Sequence, residues 1–169
     1  MECMVAVDQN WGIGAEGGLL FPISADLKRF RAFTEHQVVI MGRKTLLSLP
    51  HGKPLKNRQN IVLSADPAFW VENAAVCANA EELLRLLKEP AYADKTHMVI
   101  GGAQVYRLLL PYCTKAHITH VAAAGNADCF FPNLQADQNW VVDEKEPPLQ
   151  EDGLIFQYVT YRNVALLAL

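Results

Sequence analysis

The chain has 169 residues, 51% of them hydrophobic and 20% charged, with a formal net charge of −3. That length suits one domain, 1–169, with a sizeable core. The slightly acidic balance gives no electrostatic footprint for nucleic acid, which would call for a basic face. No apolar run approaches the roughly 18 residues of a membrane span, and residues 1–8 lack the basic start and long apolar core of a signal peptide. A cytoplasmic protein is the expectation. Cys3, Cys77, Cys113 and Cys129 are scattered without a C-x-x-C pair, which argues for reduced thiols. His117 and His120, three apart on a strand, point to opposite faces, so no metal site is expected.

Residues 4–8 are a short apolar run, expected as a central buried strand. Gly12-Ile13-Gly14-Ala15-Glu16-Gly17 follows and fits G-x-G-x-x-G, but a dinucleotide fingerprint must open a helix. Pro22 arrives too soon for one, so a mobile glycine-rich loop is expected instead. The first helix should begin at Ser24, a good N-cap, because Leu27, Phe30 and Phe33 then recur at helical spacing. Asp26 falls in its first turn and shares a face with Phe30. A carboxylate beside an aromatic ring can hold a flat, basic, nitrogen-rich ligand. Acidic residues also favour helix N-termini through the backbone dipole, and the segment alone leaves both readings open.

A second buried strand is expected at 37–41, turned by Gly42-Arg43-Lys44-Thr45 into a short helix that ends at Pro50. Arg58 precedes a strand at 60–64, a small strand covers 74–77, and 81–87 is amphipathic and helical. Another strand at 97–100 runs through Gly101-Gly102 into a helix at 103–110, stopped by Pro111. Residues 116–122 alternate like a strand. Residues 140–142 and 154–161 read as a closing hairpin, with Pro147-Pro148 and Asp152-Gly153 in its long connection. The charges at 143–146 read as a solvated edge.

Strands alternating with helices imply an α/β fold: a central, mostly parallel sheet with helices on both faces and an antiparallel C-terminal hairpin at one edge. Gly42-Arg43-Lys44-Thr45 and Gly101-Gly102-Ala103-Gln104 each join a strand's C-terminal end to a helix N-terminus. Free N–H groups at such places favour phosphate, and two in one sheet can grip a pyrophosphate dinucleotide. Glycines also simply make tight turns, so the pattern alone does not decide.

Eight segments in order carry a resemblance. They are Val5-Ala6-Val7-Asp8, Asn10-Trp11-Gly12-Ile13-Gly14, Ala25-Asp26-Leu27-Lys28-Arg29-Phe30, Ile40-Met41-Gly42-Arg43-Lys44-Thr45, Asn60-Ile61-Val62-Leu63-Ser64, Val99-Ile100-Gly101-Gly102-Ala103-Gln104-Val105-Tyr106, Ile118-Thr119-His120 and Phe130-Phe131-Pro132. Together they closely resemble the dihydrofolate reductase family over nearly the whole chain.

The resemblance implies NADPH as cofactor, dihydrofolate as substrate, antifolates as inhibitors and a monomer. It implies that Asp26 receives the pterin's 2-amino group and N3–H, with the Thr119 hydroxyl tying Asp26 to the same amino group. Met4, Val5, Ala6, Leu27, Phe30, Leu49, Leu55, Ile100 and Tyr106 would complete the substrate pocket, and Arg58 would take the carboxylate of the glutamate tail. Ala6, Ile13, Gly14, Ile100 and Tyr106 would surround the nicotinamide. Gly42, Arg43, Lys44, Thr45, Gly102, Ala103, Gln104 and Val105 would cradle the phosphates, Leu63 and Ser64 would flank the adenosine, and Gly101-Gly102 matches the family's cis peptide.

The chain also departs from the family pattern. Phe21 replaces a tryptophan whose ring N–H holds a water near the reacting atoms, and phenylalanine has no such donor. Leu20 and Ser24 replace common prolines, and Gln104 and Ala65 replace polar or cationic residues near the 2′-phosphate. A pyrimidine reductase of riboflavin synthesis has a related fold but leaves Asp26, Phe30, Thr119 and Arg58 together unexplained. A catalytically weak NADPH- or folate-binding relative is the alternative raised by Phe21.

Overall fold

Short β-branched runs become the centre of a nine-stranded sheet. The computed structural model describes residues 1–15 and 18–168. Glu16 and Gly17, which end the glycine motif, lie outside the described residues. In chain order, β1 (Glu2–Val7) precedes the short β2 (Gly12–Ala15) and β3 (Gly18–Leu19), and helix α1 (Ser24–Thr34) follows. β4 (Val38–Gly42) runs directly into α2 (Arg43–Ser48). β5 (Gln59–Leu63) and β6 (Ala74–Cys77) lead to α3 (Ala80–Leu86) and the small α4 (Pro90–Ala93). β7 (His97–Gly101) runs into α5 (Ala103–Leu109) and then β8 (Lys115–Val121). Last come β9 (Cys129–Phe130), β10 (Trp140–Lys145), β11 (Leu149–Glu151) and β12 (Leu154–Asn163).

The strand order is β10-β12-β8-β1-β7-β4-β5-β6. From β8 to β6 every pairing is parallel, while β12 is antiparallel to β8 and β10. The expected α/β sheet with one antiparallel edge is therefore present. Alternation along β4 divides the core. Val38 and Ile40 pack in one cluster with Leu83 of α3 and Leu109 of α5, and Val39 and Met41 pack in another with Leu46 of α2. Helices cover both faces because all four β4 side chains are fully buried and need an apolar partner on each side.

Several elements differ from expectation. Ser24 is not the N-cap of α1: Ile23 holds that position without a side-chain cap. The Glu151 carboxylate from β11 accepts the backbone N–H groups of Ser24 at 2.6 Å and Ala25 at 3.1 Å. The described residues of the glycine-rich segment form β2, which pairs with β3 and β9 in a separate sheet. No helix follows it before Ser24, as Pro22 demanded. The short helix after Gly42 stops at Ser48 rather than at Pro50. Residues 90–93 form a helical turn started by Pro90, and the long connection near the C-terminus contains β11. Two of the charges at 143–146 are engaged rather than merely solvated: Asp143 pairs with Lys115 and Arg162, and Glu146 with Arg29, while Glu144 and Lys145 are exposed as expected.

Asp8 ties the loops above β1 together. Its buried carboxylate accepts backbone N–H groups of Asn10 at 2.8 Å, Gly12 at 2.7 Å and Gly125 at 3.0 Å. Gly12 has to be glycine, for a Cβ there would lie 2.5 Å from the Ala127 Cβ. Asp8→Ala strands these donors and should cost roughly 2–4 kcal/mol, measured as a lower denaturant midpoint with an unchanged slope.

Candidate active site

Helix α1 lies across the strands at the C-terminal ends of β1 and β8, where ligands bind in open α/β sheets. Asp26, in its first turn, accepts a hydrogen bond from the Thr119 hydroxyl at 2.6 Å. Thr119 is buried on β8, and its neighbour across the parallel pairing to β1 is Ala6. Burial pushes the Asp26 carboxyl above its ordinary range, while the Thr119 hydroxyl and the Arg29 guanidinium pull it part of the way back. This is a carboxylate withdrawn from water with one strong donor already in place. It remains half-buried, so it can still accept from a ligand.

The other expected substrate residues gather around it to different degrees. Val5 and Ala6 are half-buried on β1, Met4 is buried, and the Met4 carbonyl accepts the Tyr106 hydroxyl at 2.7 Å. Burial pushes that phenol well up, so it acts as a neutral donor. Leu49, Leu55 and Ile100 pack against the cluster of Val39, Met41, Leu46 and Val62, forming one apolar wall. Leu27 is 52% exposed, which leaves an apolar side chain uncovered beside Asp26. Phe30 is half-buried one turn further on.

Arg58 is oriented by the end of the same helix, its Nε donating to Thr34 Oγ1 at 3.1 Å and its Nη1 to the Lys56 carbonyl at 2.8 Å. Asn60 organises this loop by bonding both the N–H and the carbonyl of Leu55 and the carbonyl of Arg58. Nothing in the local sequence marks Asn60 for that task. Leu20 and Phe21 stand apart from this wall. Phe21 packs on the cluster of Ile23, Val121, Phe156 and Tyr158. Leu20 covers Gly125, where a Cβ would come within 3.1 Å of it. With Ala6, Ile13 and Leu19 they surround a cavity of about 10 Å³, room for about one water.

The second half of the edge is built by glycine. β4 ends at Gly42 and β7 at Gly101, and neither α2 nor α5 has a side-chain cap. Their first-turn N–H groups, from Arg43, Lys44 and Thr45 and from Ala103, Gln104 and Val105, are available to an anion. A Cβ on Gly42 would lie 3.1 Å from Val105 Cγ2, and one on Gly101 3.3 Å from Thr45 Oγ1, so side chains there would close the gap. The Gly101–Gly102 peptide is cis. Beyond it, Leu63, Ser64, Gln104 and Val105 line a cavity of about 180 Å³. Gln104 and Val105 belong both to this lining and to the first turn of α5, so the cavity adjoins the free N–H groups at that helix start. Arg43 currently reaches Asp66 at 3.4 Å and lies over Phe69 at 5.0 Å, while Lys44 is exposed. Ile13 and Gly14 of β2 are half-buried at the near end.

A family model described as dihydrofolate reductase matches residues 1–163. The chain belongs to the dihydrofolate reductase family. It is 32% identical over 181 residues to a dihydrofolate reductase of Rattus norvegicus, covering 96% of this chain and 97% of that protein. It is 34% identical over 180 residues to a bifunctional dihydrofolate reductase-thymidylate synthase of Daucus carota, of which the match covers 34%. A solved dihydrofolate reductase from Enterococcus faecalis, complexed with NADP(H) and RAB-propyl, superposes with a TM-score of 0.82. That pair is 29% identical over 96% of this chain and 95% of the other. No described helix is long and apolar enough to cross a membrane.

The raised Asp26 pKa fixes the sign of a stability effect. The folded state holds the Asp26 proton more tightly than the unfolded chain, so stability falls as pH rises from the ordinary carboxylate range through the raised value. Asp26→Asn removes that titration. At pH 7 the variant should be at least as stable as the parent, and the difference should shrink below about pH 4, read from thermal unfolding across pH.

Proposed function

We propose that this chain is an NADPH-dependent dihydrofolate reductase, converting 7,8-dihydrofolate to 5,6,7,8-tetrahydrofolate. The observation that carries this reading is the 2.6 Å hydrogen bond from Thr119 to Asp26, set on the open sheet edge beside the glycine cradle. We place the enzyme in the cytoplasm as a monomer, supplying one-carbon metabolism and open to antifolate inhibitors.

When bound, NADPH supplies the hydride, from C4 of its nicotinamide to C6 of the dihydropterin. The chain's own residues bind and orient. The two Asp26 oxygens accept the 2-amino group and the N3–H of the pterin, a paired contact strengthened by its low-dielectric setting. Thr119 holds the carboxylate in that orientation and accepts from the same amino group. Asp26 polarises the ring, and the proton for N5 arrives through water rather than from Asp26 itself.

Leu27, Phe30, Leu49 and Leu55 enclose the pterin and benzoyl rings, and Arg58 receives the tail carboxylate as a fork. Ala6, Ile13, Gly14, Ile100 and Tyr106 frame the nicotinamide pocket, while Leu20 and Phe21 close it against water. The N–H groups after Gly42 and Gly102 take the phosphates, Leu63 and Ser64 flank the adenosine, and Arg43 turns to the 2′-phosphate.

The deciding assay follows the loss of NADPH absorbance with dihydrofolate as substrate; an inactive protein that still binds both ligands would overturn the reading. Asp26→Asn should lower kcat/KM about 10²–10³-fold at pH 7 with unchanged NADPH affinity by fluorescence titration. Arg58→Leu should weaken ligands bearing the glutamate tail about 10–100-fold, and equal losses for ligands without the tail would contradict the contact.

A further inference from the structure

A largely buried cation on α1 belongs to none of these roles. Arg29 follows Asp26 by three residues, so the two share a helix face. Its side chain is 17% exposed, and its Nη1 lies 2.9 Å from Glu146 Oε2. The guanidinium carbon is 3.8 Å from the centroid of the Tyr158 ring and 5.1 Å from that of Phe33. Glu146 and Tyr158 come as one unit: the Glu146 N–H donates to the Tyr158 carbonyl at 3.0 Å, and Gln157 Nε2 donates to the Glu146 carbonyl at 2.7 Å. Tyr158 on β12 is also the ladder partner of Thr119 on β8. One turn of helix therefore sets Asp26 on Thr119 and Arg29 on the residue paired with Thr119.

We propose that Arg29, clamped by Glu146 and Tyr158 of the C-terminal hairpin, is a positioning residue that keeps the Asp26 carboxylate charged and oriented for dihydrofolate reduction. This rests on the reductase reading for its substrate but not for its geometry. A guanidinium stacked on a ring and bonded at its edge cannot swing toward Asp26, so it acts through its field and by fixing the helix. In a half-buried site that field is weakly screened, and it opposes the burial that favours the neutral acid. Glu146 offsets part of it.

Among the described residues, Arg29 is the cation that acts on Asp26, and the other polar groups nearby are otherwise engaged. Thr119 and Tyr158 are hydroxyl groups, with the Tyr158 phenol pushed up by burial. Glu151 bonds the helix N-terminus, and Tyr106 donates to Met4. His117, two residues before Thr119 on the same face, is bonded to Glu2 and packs on Phe33.

The test is the titration of the Asp26 carboxyl in the ligand-free full chain, followed by carbon-13 NMR, alongside the pH profile of kcat/KM for dihydrofolate. Arg29→Met should move the Asp26 midpoint to higher pH, Arg29→Lys should bring it back toward the parent, and Glu146→Gln should move it lower. Loosened packing would instead move Arg29→Met and Glu146→Gln in the same direction, and that result, or an unmoved midpoint in Arg29→Met, overturns the proposal. Should Arg29→Met not fold, Glu146→Gln decides alone: a lower midpoint supports the proposal, and an unchanged or higher one overturns it. A shifted titration with an unshifted activity profile overturns the link to the reaction. Absence of turnover in the parent would instead sink the reductase reading, while the titration still measures the Arg29–Asp26 coupling.

Discussion

A carboxylate drawn out of water has to be given hydrogen bonds in return, and the contact between Asp26 and Thr119 is where the site meets that demand. Much of the surrounding geometry follows from it. The hydroxyl must come from a strand rigid enough to hold it, and β8 is gripped by β1 on one side and β12 on the other. The helix that carries Asp26 must not slide along that strand, and two anchors from the C-terminal hairpin prevent it: Glu151 on the first-turn amides and the Glu146–Tyr158 pair on Arg29. Asp26 is left with acceptor capacity facing the open side, next to an exposed Leu27.

The other end of the edge offers the opposite chemistry. In the function proposed here it receives a negatively charged group, and the chain presents backbone N–H groups there rather than placing cations in the cradle itself. Close approach of β4 and β7, with Met41 beside Gly101 across a register shift, brings the starts of α2 and α5 side by side. The two nearby cations lie outside the cradle, Lys44 exposed and Arg43 already satisfied by Asp66 and Phe69. Geometry, more than net charge, makes this end suitable for phosphates.

How much of this was legible in the sequence depended on the range of each interaction. The strands beginning at Val38 and His97 and the glycine turns after them announced themselves through local apolar runs and turn residues, and they stand close to where they were expected. Ser24 had every local mark of an N-cap, yet a carboxylate from far along the chain does the capping. The hairpin of β2 and β3 was hidden because its strands are short and lean on β9, whose pairing no local pattern reveals. Glu146 looked like one charge in a solvated run, since its partner is on another element. Thr119 and Arg58 carried no signal of their own, and only the family resemblance singled them out.

The helix carrying Asp26 and the hairpin that anchors it come from opposite ends of the chain, with 127 residues separating Ser24 from Glu151 and 117 separating Arg29 from Glu146. On a ribosome, α1 is made early and waits through the synthesis of nearly every other element before its anchors emerge. A nascent chain stopping short of Tyr158 has the acid but not its setting, even though the glycine turns after β4 and β7 are already complete. Closing contacts of such long sequence separation costs loop entropy. A chain made only as far as α5 already holds both glycine turns, while the Asp26 pocket still lacks the residues that β8, β11 and β12 contribute to it.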